Sequence, residues 1–297
     1  MKNENIKNFL LLLLLASLWG PSFLFIKVAV EYIPPITIAN LRIGIGAIFL
    51  FIILKIQKNR LPKFGIIWKH FAIVALFSSA IPFCLFGIGE QYIDSSLAAI
   101  LNGTTPLATL LIAHFSTQSD RLTKAKFLGA IIGFSGLFIL VLPSLFGASA
   151  TLFGIFCIIG ATTCYGTALV YAKKHIRGFK PLVVPTAQLL LATLFLLPFS
   201  LILEKPLSIT YISDEAIASI FGLAILGTAF AFVVYYKIIE ATSATYASSV
   251  TYIIPIFGMI LGVLVLNEKL AWNSYLGSAV ILSGVMIANG VFKKIKS

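Results

Sequence analysis

Residues 95–106 read Ser95-Ser96-Leu97-Ala98-Ala99-Ile100-Leu101-Asn102-Gly103-Thr104-Thr105-Pro106, and residues 244–255 read Ala244-Thr245-Tyr246-Ala247-Ser248-Ser249-Val250-Thr251-Tyr252-Ile253-Ile254-Pro255. The correspondence extends outward in both directions. Trp19-Gly20, with Lys27 eight residues after the Trp, faces Tyr165-Gly166 and Lys173; Leu128-Gly129 through Ser135-Gly136 faces Leu276-Gly277 through Ser283-Gly284. The chain therefore divides into two related halves, 1–148 and 149–297, each holding five hydrophobic segments. Five is odd, so the second half must cross a membrane upside-down relative to the first. Inverted repeats place a binding site between the halves, near the bilayer midplane, and let one half rock against the other. The expected fold is an all-α membrane protein of ten transmembrane helices in two inverted five-helix repeats.

Composition agrees. Hydrophobic residues make up 59% of the chain, charged residues 11%, and the mean hydropathy is +1.03, outside the range of soluble globular domains. A spanning helix needs about 20 apolar residues. Such segments run over 8–28, 36–54, 69–89, 95–115, 124–142, 152–172, 182–203, 215–236, 245–266 and 274–292, numbered segments 1 to 10 below. They leave no room for a separate soluble domain. Lipid forces the backbone to satisfy its own hydrogen bonds, so helices are expected. The segments are too long and too uniformly apolar for barrel strands.

The net charge of +12 raises the question of nucleic acid, which its distribution answers. With the N-terminus in the cytoplasm, the inner side carries Lys2, Lys7, Lys55, Lys58, Arg60, Lys63, Lys69, Arg121, Lys124, Lys126, Lys173, Lys174, Arg177, Lys180, Lys237, Lys293, Lys294 and Lys296, which is 18 of the 22 basic residues. The outer loops hold mainly acids: Glu31, Glu90, Asp94, Glu204, Asp214, Glu215 and Glu268. This is the positive-inside pattern and predicts both termini in the cytoplasm of an inner-membrane, multi-pass protein with no nucleic-acid partner. Lys2 and Lys7 before a run of leucines imitate a leader peptide, but the apolar stretch continues to about Val30 without a clean cleavage site. Cys84, Cys157 and Cys164 fall inside segments with no metal-ligand spacing, as packed thiols do. No metal or cofactor is expected.

Polar and helix-weakening residues concentrate in segments 1, 3, 4, 6, 8 and 9. Because polar groups in hydrocarbon turn toward other helices or a wet cavity, these six are expected to surround a central cavity, with 2, 5, 7 and 10 as buttresses. The candidate substrate contacts are Trp19, Ser22, Ser79, Asn102, Thr105, Tyr165, Thr228 and Tyr252. For each Ser or Thr the competing role is tight helix packing, and for each aromatic it is the core. Pro21, Pro82, Pro106 and Pro255 lie near mid-helix, where each removes a backbone hydrogen bond; they are candidate hinges or plain bends. Arg42 and Glu90 are candidate charge partners. Snorkelling toward the outer surface is the expected state of Lys27, Glu90 and Arg42. Facing inward, Arg42 would instead hold a substrate carboxylate in a two-pronged hydrogen bond. Since no acid lies at the midplane, the cavity suits a zwitterionic or uncharged metabolite.

Taken together, Trp19-Gly20-Pro21-Ser22-Phe23 with Lys27, Pro34-Pro35, Arg42, Ser95 through Pro106, Tyr252-Ile253-Ile254-Pro255, Leu266-Asn267-Glu268-Lys269-Leu270 and the glycines Gly277 and Gly284 resemble the EamA branch of the drug/metabolite transporter superfamily over essentially the whole chain. The resemblance implies a ten-helix inverted-repeat carrier with a basket lined by segments 1, 3, 4, 6, 8 and 9. It also implies substrates among amino acids, other metabolites, drugs and purines, often exported. The end of segment 4 departs from the family's Gly-Glu-Arg ending and reads Ser119-Asp120-Arg121.

The expected function is therefore a secondary transporter of small amphipathic metabolites, amino acids or related compounds, working by alternating access in the direction of export, with a small-molecule substrate and the lipid bilayer as its expected partners. Import, or exchange of a nucleotide, sugar or cofactor, is the alternative. An intramembrane enzyme would need a catalytic constellation, and His70, His114 and His175 lie near segment ends instead. A passive channel is disfavoured by the repeat and the prolines. Oligomeric state is open.

Overall fold

A computed structural model describes residues 2–116, 123–145, 149–241, 247 and 249–288. Among these the regular structure is helical throughout. Eight helices are long and apolar enough to span a membrane: Ile6–Ala29, Pro35–Ile56, Ile66–Gly89, Ser95–Ser116, Lys124–Pro143, Thr151–His175, Val183–Glu204 and Asp214–Ile239. Two shorter apolar helices, Ile254–Val265 and Trp272–Ile287, follow. They correspond to segments 1 to 10 within a few residues. Segment 9 differs from its expected continuous form: a 3-10 turn at Ser249–Tyr252 precedes the helix from Ile254. The end of segment 10 beyond residue 288 lies outside the described residues.

The helices are interrupted where the chain cannot keep its ladder. Segment 1 breaks between Trp19 and Pro21, segment 4 between Asn102 and Thr105, and segment 9 at Ile253 before Pro255. In each case the proline sits in the first turn of the next helix, where its missing N–H costs nothing. Segment 3 loosens into a π-helix at Leu76–Ala80 just before Pro82. Segment 8 does the same over Gly222–Phe230 with no proline at all.

Segments 2 and 7, 4 and 9, and 5 and 10 pack in pairs; segment 3 lies on 6, and segment 1 on 8. Segments 5 and 10 meet through glycine. A Cβ on Gly136 would stand 2.6 Å from the Ile281 nitrogen, and one on Gly284 2.6 Å from the Gly129 oxygen. These backbones touch because nothing lies between them, as small-residue membrane interfaces require. Replacing Gly284 by valine is expected to cost about 1–3 kcal/mol by overpacking, seen as a lowered thermal midpoint in detergent.

The buried core forms two bodies. One runs through Leu15, Phe23, Ala98, Leu101, Ile158 and Leu223; the other lies between segments 2, 3 and 7 around Ile43, Leu50, Phe83 and Leu189. Tyr165 packs against both. The outside is as apolar as the inside: Ile48, Phe138, Phe156, Leu194 and Leu264 all project outward. A continuous exposed apolar surface of this kind needs lipid to cover it.

The two ends of the bundle differ in charge. One carries Glu90, Asp94, Glu204 and Glu268. The other carries Lys58, Arg60 and Lys180, whose Nζ donates to Asn59 Oδ1 at 3.0 Å, together with His70, stacked on His175 at 4.9 Å. They are called the acidic and basic ends below.

Candidate functional site

Arg42 is the residue around which the interior is organised, and its position corrects the sequence expectation. It does not snorkel. Its side chain is only 7% exposed and runs inward from segment 2. Nε donates to Thr228 Oγ1 at 2.9 Å, Nη2 donates to the Gly227 carbonyl at 3.3 Å, and the guanidinium lies 4.0 Å from the centre of the Phe83 ring. Thr228 Oγ1 in turn donates to the Leu223 carbonyl at 2.8 Å, one residue further back than an α-helical side chain would reach. The π-helix of segment 8 runs over Gly222–Phe230 and holds Gly227 and Thr228 against the arginine. π-turns inside α-helices are frequently found at functional sites. A buried guanidinium with a planar fork and an aromatic face beside it is well placed to take a carboxylate.

The surrounding shell comes from both halves. Ser22 packs against Gly227, and its hydroxyl has no hydrogen-bond partner among the described residues. Phe86 stacks on Tyr165 with ring centres 6.0 Å apart and meets Phe23 edge-on at 5.7 Å. Ser22, Tyr165 and Thr228 are thus brought together around Arg42. Segment 2, expected to be a buttress, supplies the central charge.

The other candidates lie apart from this cluster. Trp19 packs its ring on Tyr235 at 5.5 Å and edge-on to Phe232 at 6.5 Å, against segment 8. Ser79 is fully buried, and its Oγ accepts from Gln188 Nε2 at 2.7 Å, joining the π-helix of segment 3 to segment 7. Asn102 and Thr105 flank the break in segment 4, where Thr105 Oγ1 donates to the Asn102 carbonyl at 2.8 Å. The Tyr252 side chain and Asp120 lie outside the described residues. Of the four prolines, Pro255 contacts the segment 4 break directly, its ring beside Gly103.

Lys27 and Glu90 also depart from snorkelling. Lys27 Nζ crosses to the end of segment 3 and donates to the carbonyls of Glu90 and Ile93, at 2.7 and 2.8 Å. The Glu90 side chain is 0% exposed.

Two carboxylates that sequence reasoning treated as loop acids hold helix starts across the halves. Glu268 accepts from the Ser95 and Ser96 N–H groups at 2.7 and 2.9 Å, and from the Ser96 hydroxyl. Glu204 accepts from Ile36 and Thr37 N–H at 2.9 and 2.6 Å, and from the Thr37 hydroxyl at 2.7 Å. Each fills the N-terminus of a helix from the first half with an anion from the second. A signal was present, since each acid directly follows a span at the end where those helices begin. Nothing local says which helix it meets.

Comparison with known proteins follows the same lines. The family model described as the EamA-like transporter family matches residues 7–142 and again 152–290. An uncharacterized transporter of Bacillus subtilis, YoaV, is 29% identical over 280 residues, spanning 94% of this chain and 95% of its own. A second relative, from Archaeoglobus fulgidus, is 28% identical over 95% of this chain and 98% of its own, and is also an uncharacterized transporter. A relative named as a probable amino-acid metabolite efflux pump of Escherichia coli is 24% identical over 95% of this chain and 94% of its own. A protein of known crystal structure shares the fold, with a TM-score of 0.66 at 17% identity over 98% of this chain and 99% of its own. Two family matches that together cover nearly the whole chain, on a bundle of apolar helices around a buried arginine, place it plainly: this multi-pass membrane protein belongs to the EamA-like transporter family of the drug/metabolite transporter superfamily.

Proposed function

We propose that the chain is a secondary transporter that moves amino acids or related amphipathic metabolites out of the cell, across the inner (plasma) membrane, by alternating access. Its ten segments form two inverted five-helix halves, 1–148 and 149–297, with the basic end and both termini in the cytoplasm. The observation that carries this reading is the Arg42 cluster, a buried cation assembled from segments 1, 2, 3, 6 and 8 at the junction of the halves. Its chemistry suits a carboxylate with an apolar body beside it.

The packing supports the inverted repeat. Exchanging segments 1 to 5 with 6 to 10 maps each of the five pairs described above onto one of the five: 3 on 6 becomes 8 on 1, while 2–7, 4–9 and 5–10 map onto themselves. The corresponding segments 3 and 8 each contain a π-helix, at Leu76–Ala80 and Gly222–Phe230. Gly20 lies against Phe257 on segment 9, and Gly166 against Thr109 on segment 4, the corresponding pair of contacts. The charge difference between the ends supports the orientation. The amino-acid reading draws on the name of the Escherichia coli relative.

Trp19, Ser22, Ser79, Asn102, Thr105, Tyr165, Thr228 and Tyr252 are the proposed substrate contacts, of which Ser79 and Thr228 must exchange their present partners on binding. Pro21, Pro82, Pro106 and Pro255 are the proposed hinges, each at a helix interruption. The test is counterflow in proteoliposomes preloaded with unlabelled L-amino acids and challenged with single tritiated ones. Accumulation of label that is lost in Trp19→Ala and Tyr165→Ala, with both variants monodisperse, is the expected result. Normal counterflow in both variants defeats the site. No counterflow of any amino acid by folded wild type defeats the substrate class and turns the search to nucleotides, sugars and cofactors.

A further inference from the structure

Glu90 is anomalous. It is 0% exposed, and neither carboxyl oxygen has a hydrogen-bond partner among the described residues. Lys27, its natural counter-ion, spends its ammonium on the backbone carbonyls of Glu90 and Ile93. Arg42 is turned toward Thr228, Gly227 and Phe83. An ionised carboxylate stranded in such a place carries an uncompensated desolvation penalty, whereas the neutral acid does not. Buried polar groups without partners call for a physical reason.

Resting on the transporter reading above, we infer that Glu90 is the proton-binding site of the carrier, loaded from outside when the acidic end opens, held neutral in the arrangement seen here, and emptied when the basic end opens, so that protons move inward in exchange for substrate. The step is a simple protonation. One carboxylate oxygen takes a proton from water, forming an O–H bond, and returns it to water on the opposite side when that bond breaks. No other reactant is required.

The neighbours fit a switch. From segment 1, Lys27 acts on Glu90 attractively; Glu268, beyond segment 9, repels its charge; Arg42 attracts it from segment 2. Asp94, in the turn after Glu90, has its own carboxyl pushed up by partial burial and by Glu268, with Lys27 opposing. Segment 6 presents the uncharged Phe153, Gly154 and Ile158 to the Gly89–Ile93 turn. Directly beside this site Glu268 clasps Ser95 and Ser96, the residues that follow the Glu90–Asp94 turn. Releasing the clasp frees that turn and lets water reach Glu90 to deliver the proton. Proton occupancy and the state of the acidic end are thereby linked.

The experiment compares wild type, Glu90→Gln and, as a control on an exposed loop, Glu31→Gln. Two readouts are used in vesicles of purified protein. The first is the infrared C=O band of a protonated carboxylic acid at neutral pH, which needs no substrate. The second is accumulation of tritiated L-amino acids in vesicles made acidic inside, set against counterflow without a pH gradient. In a one-for-one exchange, one pH unit sustains about tenfold accumulation. Wild type and Glu31→Gln are expected to show the band and the accumulation. Glu90→Gln is expected to lack the band and to lose the accumulation while still exchanging label. An identical band in Glu90→Gln and wild type, or undiminished gradient-driven accumulation in Glu90→Gln, overturns the inference and leaves the transporter standing. Absence of counterflow in wild type counts against the amino-acid reading instead, and the band then decides the proton site alone.

Discussion

Arg42→Met is expected to slow transport by about a hundredfold or more while leaving a folded protein. Losing a buried, hydrogen-bonded charge that engages a ligand costs about 2–5 kcal/mol of interaction, which is a factor of thirty to several thousand. Stability should respond differently. Methionine nearly preserves the volume against Phe83, and replacing a buried ion by an apolar side chain of similar size is often neutral or stabilising. What is left behind is the Thr228 hydroxyl, which keeps its bond to the Leu223 carbonyl, and the Gly227 carbonyl, which loses its donor. Arg42→Lys separates charge from geometry. An ammonium keeps the positive charge but not the planar fork that serves Thr228 and Gly227 together, so it should restore only part of the rate. Counterflow rates and thermal midpoints in one detergent measure both effects. Full transport by Arg42→Met would show that the guanidinium only holds segment 8 to segment 2.

Glu268→Gln is expected to release the acidic end. The carboxylate makes three hydrogen bonds to the start of the 95–102 helix, two of them from backbone N–H groups that have no other acceptor within the helix. Replacing the anion by an amide removes its interaction with the helix dipole and one charged acceptor. Charge-assisted bonds of this kind contribute about 1–2 kcal/mol beyond neutral ones, so an equilibrium between closed and open ends shifts by about five- to thirtyfold. The reporter is a single cysteine in place of buried Ile93, in a background with Cys84, Cys157 and Cys164 changed to serine. Its reaction with a membrane-impermeant maleimide should accelerate by that factor. Glu204→Gln is the informative contrast. It weakens the same kind of clasp at Ile36 and Thr37, but Ser200 also bonds the Thr37 hydroxyl at 2.8 Å, and segments 2 and 7 pack along much of their length. That variant should lower the thermal midpoint without exposing residue 93. Equal acceleration in both variants would mean that the two clasps hold one rigid unit.

Reading polarity along the chain located the apolar helices and picked three side chains that the fold brings together. Ser22, Tyr165 and Thr228 converge on one place, as residues chosen for depth in matching segments should. Trp19 and Ser79 stand at the expected depth but face other neighbours, because rotation of a helix about its axis is set by packing and not by the residue's position in the segment. The same reasoning misplaced Arg42, Lys27 and Glu90. Snorkelling assumes that the nearest relief for a charge is water. Here the relief for Arg42 is a hydroxyl and a carbonyl on segment 8, and for Lys27 two carbonyls at the end of segment 3. The π-helix at 222–230 was also hidden, since no proline marks it and its widening follows from how Thr228 bonds to Leu223 and Arg42.

Sequence alone determined the number and extent of the apolar segments, the charge asymmetry between their ends, the interruptions at Pro21, Pro106 and Pro255, and the membership of a transporter family. The segments, charges and interruptions are properties of single stretches, which the bilayer reads separately, and the family is legible because its motifs recur in order along the chain. Only the tertiary structure decided that Glu268 and Glu204 close on helices of the other half, that Arg42 points inward, and that Glu90 is sealed without a partner. Those outcomes depend on the rotation and register of helices far apart in the chain, which hydropathy does not encode, because one apolar face serves lipid and protein equally well.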